Sequence, residues 1–488
     1  MTTENARLEA AYASGERWRR WGPYLSERQW GTVREDYGHD GNAWDYFPHD
    51  HARSRAYRWG EDGLLGISDD TQLLCFGLAL WNGQDAILKE RLFGLTNQQG
   101  NHGEDCKEQY HYLDSTPTHS YMRALYRYPQ AAFPYTDLVT TNAERGYHDP
   151  EYELIDTGVF DEDRYFDVEI EYAKASPEDV CIRVSVTNQG PDPAPLRVLP
   201  TLWFRNTWSW SEGAPRPTIE PLTDASPKAP GVRASHPSLG TMELFAEDAQ
   251  RLLFVDNETN HRRLFEGENG SDAVKDGIHD FVVEGRSQAV RTGGPGTKVA
   301  ADFEVTLGPG ATQVFRLRLT RERPPEIFGP TFESIIADRV RDADAFYEGV
   351  IPRGLTDDEQ NVMRQALAGM MWSKQYYNLD KEAWLHGRAS AAHRRNPDWQ
   401  HLRAHDVISM PDKWEYPWFA VWDLAFHAFA LMLVDLDFAK LQLSMFLEDR
   451  YLRDDGAIPA YEWNFSDVNP PVHAYATLRV FQFERAKR

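Results

Sequence analysis

The 488-residue chain is 41% hydrophobic and 26% charged, a globular make-up, and it is too long for one ordinary core, so two or three domains are expected. Its 52 Lys and Arg against 76 Asp and Glu leave a net charge of −24. That charge repels phosphate backbones and anionic lipid, so nucleic acid and membrane are poor partners, while a neutral ligand such as a sugar is compatible with it.

Residues 1–22 show no apolar segment of a secretory signal. The long apolar stretch Trp418–Val434 carries Asp423 and His427 in its middle, which argues against a membrane span. Cys75, Cys106 and Cys181 are too few and too scattered for a disulfide framework or a zinc knuckle, and a reducing cytoplasm is the expected location. Aromatic residues are the outlier, with 16 Trp, 22 Tyr and 24 Phe. Such rings suit large β-rich cores and the C–H faces of sugar rings equally well, so composition alone leaves both open.

The first 150 or so residues mix Trp, Tyr, His, Asp and Gly with weak periodicity, and Trp30–Gly63 reads as short strands between Gly/Asp turns. His49, Asp50 and His51, adjacent on one loop, do not converge on a metal ion. Strict alternation then predicts strands over Arg164–Ala173 and Val180–Val186, followed by Leu196–Phe204 and Arg251–Val255. Two further alternating runs, Phe303–Leu307 and Phe315–Leu319, flank Gly308-Pro309-Gly310-Ala311 and predict a hairpin. Many strands at short spacing with no intervening helices mean an antiparallel β-sandwich, expected over residues 1–320.

Pro324-Pro325 cannot continue a ladder and opens a linker over 321–354, with a helix at Thr331–Gly349. From Pro352 the pattern reads as helical to the end. Thr356 and Glu359 form a capping box for a helix reaching about Tyr377. Trp418–Val434 is apolar nearly all round and reads as an internal helix. Asp437–Leu447 is amphipathic, and Pro470-Pro471 opens a last helix, Val472–Arg488.

Two segments carry candidate chemistry. Tyr416–His427 holds Trp418, Trp422 and Asp423, a carboxylate in an apolar helix that needs either a protein partner or a polar ligand. Its i+4 neighbour His427 lacks a third residue to make a metal site. Gly456–His473 packs Tyr461, Glu462, Trp463, Asn464, Asp467 and Asn469 into one loop. Carboxylates and amides beside aromatic faces can grip the hydroxyls of a neutral ring while covering its apolar side. Asp454-Asp455-Gly456 is a turn, lacking the later ligands of a calcium loop.

Together with Phe93–Asn97, Gly100–Asp105 and Tyr112–Tyr121, these segments resemble glycoside hydrolase family 63, its bacterial glucosidase-type members above all, and its trehalase-like and glucoamylase-like relatives. Trp422-Asp423 resembles the sugar-binding Trp-Asp element of their (α/α)6 barrels, and Ile458-Pro459 with Asn469-Pro470-Pro471 resembles the next substrate loop. The resemblance implies a multidomain β and α chain, an N-terminal antiparallel β-sandwich followed over 355–488 by part of an (α/α)6 barrel. It implies an inverting glucosidase acting on α-linked oligosaccharides, with acid and base roughly 6.5–9.5 Å apart.

Twelve barrel helices of about 12 residues plus loops need on the order of 250 residues, about twice the number after Leu355. Neither family catalytic position has a match here, so the catalytic residues are unknown. Trp418, Trp422, Asp423, Tyr461, Glu462, Trp463, Asn464 and Asp467 are assigned to substrate binding, with no metal and no cofactor. Two alternatives keep the fold. One is a mannosylglycerate-type hydrolase, with Arg388, Arg394 or Arg395 meeting the acid. The other is a non-catalytic sugar-binding or inactive fragment, whose open barrel exposes apolar faces to aggregation or to a separately encoded C-terminal half.

Overall fold

The structure is a computed structural model that describes residues 2–28, 48–95, 106–146, 148–210, 213–386, 399–410, 413, 419–461 and 467–487. Along the chain come α1 (Thr3–Ala13), β1 (Trp21–Gly22), α2 (His49–Ala52), β2 (Leu64–Asp69) and β3 (Leu74–Trp81). They are followed by β4 (Tyr110–Ser115), β5 (Tyr121–Pro129), α3 (Tyr135–Glu144), β6 (Tyr165–Ser176), β7 (Asp179–Asn188) and β8 (Ala194–Phe204). Next are β9 (Thr218–Pro221), β10 (Gly231–His236), β11 (Gly240–Ala246), β12 (Arg251–Val255), α4 (His261–Phe265) and α5 (Gly277–Val282). β13 (Lys298–Leu307), β14 (Thr312–Thr320) and α6 (Pro330–Tyr347) complete this part.

The strands make two antiparallel sheets, one ordered β1-β2-β3-β8-β13-β12 and the other β4-β5-β6-β7-β14-β11-β10-β9. The alternating faces read from the sequence meet between them. Val168, Ile170 and Tyr172 of β6 and Ile182, Val184 and Val186 of β7 share one core with Val198, Leu202 and Phe204 of β8. Period-2 patterning therefore does here what it ordinarily does, burying one face of each sheet.

The expected hairpin over 303–319 is corrected. Phe303 of β13 pairs with Val198 of β8, whereas Phe315 of β14 pairs with Val184 of β7, so the turn carries the chain from one sheet to the other. Both runs have an apolar face, and those faces meet across the core, with the Phe303 and Phe315 rings 4.9 Å apart. Asn188 pins the crossing: its side chain donates to Leu307 O at 2.8 Å and its carbonyl accepts from Gly310 N at 2.9 Å. Gly310 sits there at φ +67, which glycine adopts without strain.

The helical run expected after Pro352 is also corrected. Thr356 and Glu359 form the expected box at the head of α7 (Asp357–Trp372). The helix stops at Trp372, however, and Lys374–Asp380 forms β15, paired antiparallel with β16 (Arg403–Ser409). Consecutive tyrosines with cross-strand partners, Tyr376 opposite Val407 and Tyr377 opposite Asp406, win over helix continuation. α8 (Lys381–His386), α9 (Val421–Val434), α10 (Leu436–Met445) and α11 (Val472–Lys487) follow. The chain is thus a mixed β and α protein with two large antiparallel sheets, and its last third is not the purely helical front of a barrel.

Residues 49–52 are the helical turn α2, not a loop. His49 is buried and stacked on Tyr135 at 5.5 Å, while Asp50 pairs with Arg53 and Arg263. Two buried lysines tie the segment after α1 to the rest. Lys174 Nζ donates to the carbonyls of Trp18, Trp21 and Thr118, and Lys413 Nζ to those of Pro23, Leu25 and Trp372. Among the described residues no helix is long and apolar enough to cross a membrane.

Candidate functional site

The two candidate segments meet at the start of α9. Ala420 and Tyr461 form an isolated antiparallel bridge, and Val421 N donates to Ala460 O at 2.9 Å. One turn of helix then sets Trp422 and Asp423 beside that bridge. Trp422 stays 38% exposed, edge-on to Phe426 with ring centroids 6.4 Å apart. Asp423 is half-buried, and that burial raises its carboxyl above the usual range. An acidic residue in the first turn also lies where the helix dipole favours negative charge.

On the facing loop the Tyr461 hydroxyl donates to the Asp467 carboxylate, and Asn469 Nδ2 braces the loop on Ile458 O at 2.7 Å. Trp418, Glu462, Trp463 and Asn464 lie outside the described residues, as do Arg388, Arg394 and Arg395. His427 takes another part. Its Nδ1 shares a 2.8 Å hydrogen bond with Ser409 Oγ of β16, and burial pulls its pKa down to about 4. It is a neutral link between α9 and β16, which fixes the position of the corner.

A second polar cluster, which the sequence reading missed, lies under the outer face of the six-stranded sheet. Glu61, Asp62, Glu90, Arg91, Lys275 and Lys298 are all nearly inaccessible. Arg91 Nε meets Asp62 at 2.8 Å and Lys298 Nζ meets Glu90 at 2.6 Å. Asn257 Nδ2 donates to Glu61 at 3.1 Å, and Lys275 Nζ donates to Arg55 O while lying 3.7 Å from the centre of the Tyr57 ring. Burial pushes Glu61 up to about 7 and pulls Lys275 down to about 8. Glu90 resists the same burial because Lys298 and Arg91 hold it at about 2.

This cluster lines a cavity of about 20 Å3. That is room for one water and far too little for a sugar ring. Arg91 Nη1 and Asn257 Oδ1, both in the lining, have no protein partner. One water there would accept from the first and donate to the second. Size and balanced charge make this cluster a buried polar brace. Its sequence signals were faint: Glu61-Asp62 lies in the stretch read as short strands between Gly/Asp turns, and Glu90, Arg91, Lys275 and Lys298 belong to no motif.

His279, Asp280 and Glu284 also converge, with ligand atoms within 4.8 Å of one another. Cations already occupy them. Arg53 abuts His279 Nε2, and Arg286 pairs with both Asp280 and Glu284. Burial, followed by Arg53, pulls His279 down to about 3. A metal ion would have to displace two guanidinium groups.

No family model matches the chain. The chain is 43% identical over 535 residues to the uncharacterized protein YMR196W of Saccharomyces cerevisiae (strain ATCC 204508 / S288c), a match that takes in 99% of this chain. It spans 49% of that relative's length. Among solved structures it is similar to a putative kojibiose phosphorylase from the human microbiome, at 10% identity and TM-score 0.29 over 94% of this chain and 57% of that one. It is also similar to the polysaccharide lyase BACCELL_00875, at 10% identity and TM-score 0.23 over 56% and 28%. A third is the family GH92 alpha-mannosidase BT3965 from Bacteroides thetaiotaomicron, at 10% identity and TM-score 0.21 over 86% and 47%. TM-scores this small carry no argument about what the chain does.

Proposed function

We propose that the corner between α9 and the Tyr461 loop binds a neutral α-linked oligosaccharide. On this reading the chain carries the substrate-binding front of an inverting, glucosidase-type glycoside hydrolase. The observation that carries it is the Ala420–Tyr461 bridge, which sets an exposed indole, a half-buried carboxylate and a tyrosine–aspartate pair on one corner. Trp422 would cover the C–H face of a hexose, while Asp423 and Asp467 accept from neighbouring hydroxyls. A net charge of −24 favours an uncharged ligand over an anionic one.

Hydrolysis needs a second carboxyl across the scissile bond with room for water. The chain offers no matched acid or base, so binding without turnover is the expected behaviour of these 488 residues alone. The test is titration with an α-linked glucosyl disaccharide followed by tryptophan fluorescence and by release of reducing sugar. Saturable quenching without release supports the reading. Absence of binding ends it.

A further inference from the structure

Helix α1 is docked without an apolar face. Of its 11 residues only Glu4 and Arg7 are buried, and Glu4 is 0% exposed. The Glu4 carboxylate accepts from Thr118 N at 3.0 Å, and from Thr118 Oγ1 and Ser120 Oγ at 2.6 Å each, in the turn between β4 and β5. Arg7 donates to Glu4 at 3.2 Å and to Asp342 of α6 at 2.6 Å. At the far end of the helix the Tyr12 hydroxyl accepts from Arg19 at 2.7 Å and donates to Asp435 Oδ1 at 2.9 Å. That same carboxylate oxygen accepts from Phe438 N at 2.9 Å and so caps α10. One polar helix therefore joins the eight-stranded sheet, α6 and the turn between α9 and α10.

Three features make this docking easy to reverse. First, Leu8, Tyr12 and Ala13 line one wall of an open cleft of about 600 Å3, with Leu441 and Ser444 of α10 on the other. Apolar burial, which ordinarily resists separation, is missing there. Second, the docked state leaves polar atoms unmatched. Asp435 Oδ2 is buried without a hydrogen bond, its nearest cation being Lys374 Nζ at 4.0 Å, and so is Nε of Arg339, which shares Asp342 with Arg7. Opening would let water reach such atoms, and it exchanges protein hydrogen bonds for bonds to water at small net cost. Third, residues 13–17 are all exposed, and Gly15 sits among them at φ +72 with nothing packed against it. Residues 20–28 are buried throughout, and Lys174 grips the carbonyls of Trp18 and Trp21, so the chain beyond this hinge stays fixed.

We propose that α1 is a latch that swings about residues 13–17 and, while docked, holds the turn between α9 and α10 against the sheets. Undocked, it opens Asp435 to water and loosens the first turn of α10 while both sheets remain folded. The proposal makes no use of the sugar reading, of Asp423 or of the Tyr461 loop.

Amide exchange of the intact chain at rising urea concentration tests it. The hydrogen-bonded amides of α1 should exchange about a hundredfold faster than those of β6 and β7. Their rates should hardly respond to urea, because a swinging helix exposes little surface, whereas β6 and β7 should respond steeply. The Phe438 amide should exchange through the same urea-insensitive opening. Glu4→Gln removes the buried charge and should speed α1 and Phe438 by one common factor, about tenfold. Should that variant not fold, the urea series on the native chain decides alone. Protection of α1 that is lost only together with the sheets would overturn the proposal. So would a readily exchanging α1 beside a Phe438 amide as protected as the sheets, since α1 would then be a frayed end with no hold on α10.

Discussion

Tyr112 of β4 and Trp372 at the end of α7 stack face to face, with ring centroids 4.9 Å apart and planes 6° from parallel. The contact is held from three sides. Tyr112 donates to Glu27, the Trp372 indole donates to Asp114 O at 3.0 Å, and Lys413 caps the Trp372 carbonyl at 2.7 Å. The first helix after Pro352 is thereby inserted into the core shared by the two sheets. We propose a division of the chain near residues 320 and 354, and this stack joins the parts on either side of it. Trp372→Ala should cost about 3–5 kcal/mol, the range for a fully buried large aromatic. Urea unfolding of the variant should show the segment after 354 melting before the sheets. A loss under 1 kcal/mol would mean that the stack does not couple them.

The buried pair Lys298–Glu90 offers a double-variant test of the polar brace. Removing Lys298 alone leaves the buried Glu90 carboxylate with only its longer, 3.6 Å contact to Arg91, a change that costs up to roughly 3–5 kcal/mol. Replacing both, as Lys298→Met with Glu90→Leu, should restore most of that loss, since no isolated charge remains. Denaturant midpoints of the two variants measure the difference. Equal destabilisation by both would show that the pair is not what the cluster depends on.

His427 gives the pH dependence a definite sign. Its folded pKa of about 4 lies below the ordinary 6.5, so between these values the unfolded chain binds a proton that the folded chain does not. Its contribution is fully present above pH 6.5 and is lost as pH falls towards 4. The shift corresponds to about 3 kcal/mol at most. Urea titrations at pH 7 and pH 4.5 should show a steeper loss in the native protein than in His427→Gln. Parallel losses would remove His427 as the cause.

Much of the sheet architecture was legible in the sequence because alternation has one physical cause, a single buried face per strand. The runs at 164–173 and 180–186 therefore became β6 and β7 with little change. Alternation does not say which edge a strand pairs with, so β13 and β14 read as a hairpin although each pairs in a different sheet. Local propensity also missed β15, whose tyrosines depend on a partner strand some thirty residues away. At the candidate site, Trp422-Asp423 and Tyr461–Asp467 were legible as unusual residues in unusual places. Their meeting through Ala420 was not, because a single bridge leaves no periodic trace. The Glu61–Lys275 cluster was illegible for the same reason: its members come from segments that only the fold brings together.

The most direct measurement is a titration of this chain with an α-linked glucosyl disaccharide, run in parallel on the Trp422→Ala and Asp423→Asn proteins. The account expects saturable, roughly millimolar binding by the native chain, a free energy near −4 kcal/mol. It expects affinity to fall at least tenfold in each variant, with folding intact because neither side chain is fully buried. Native-like affinity in both variants, or no saturable binding by the native chain, would contradict it.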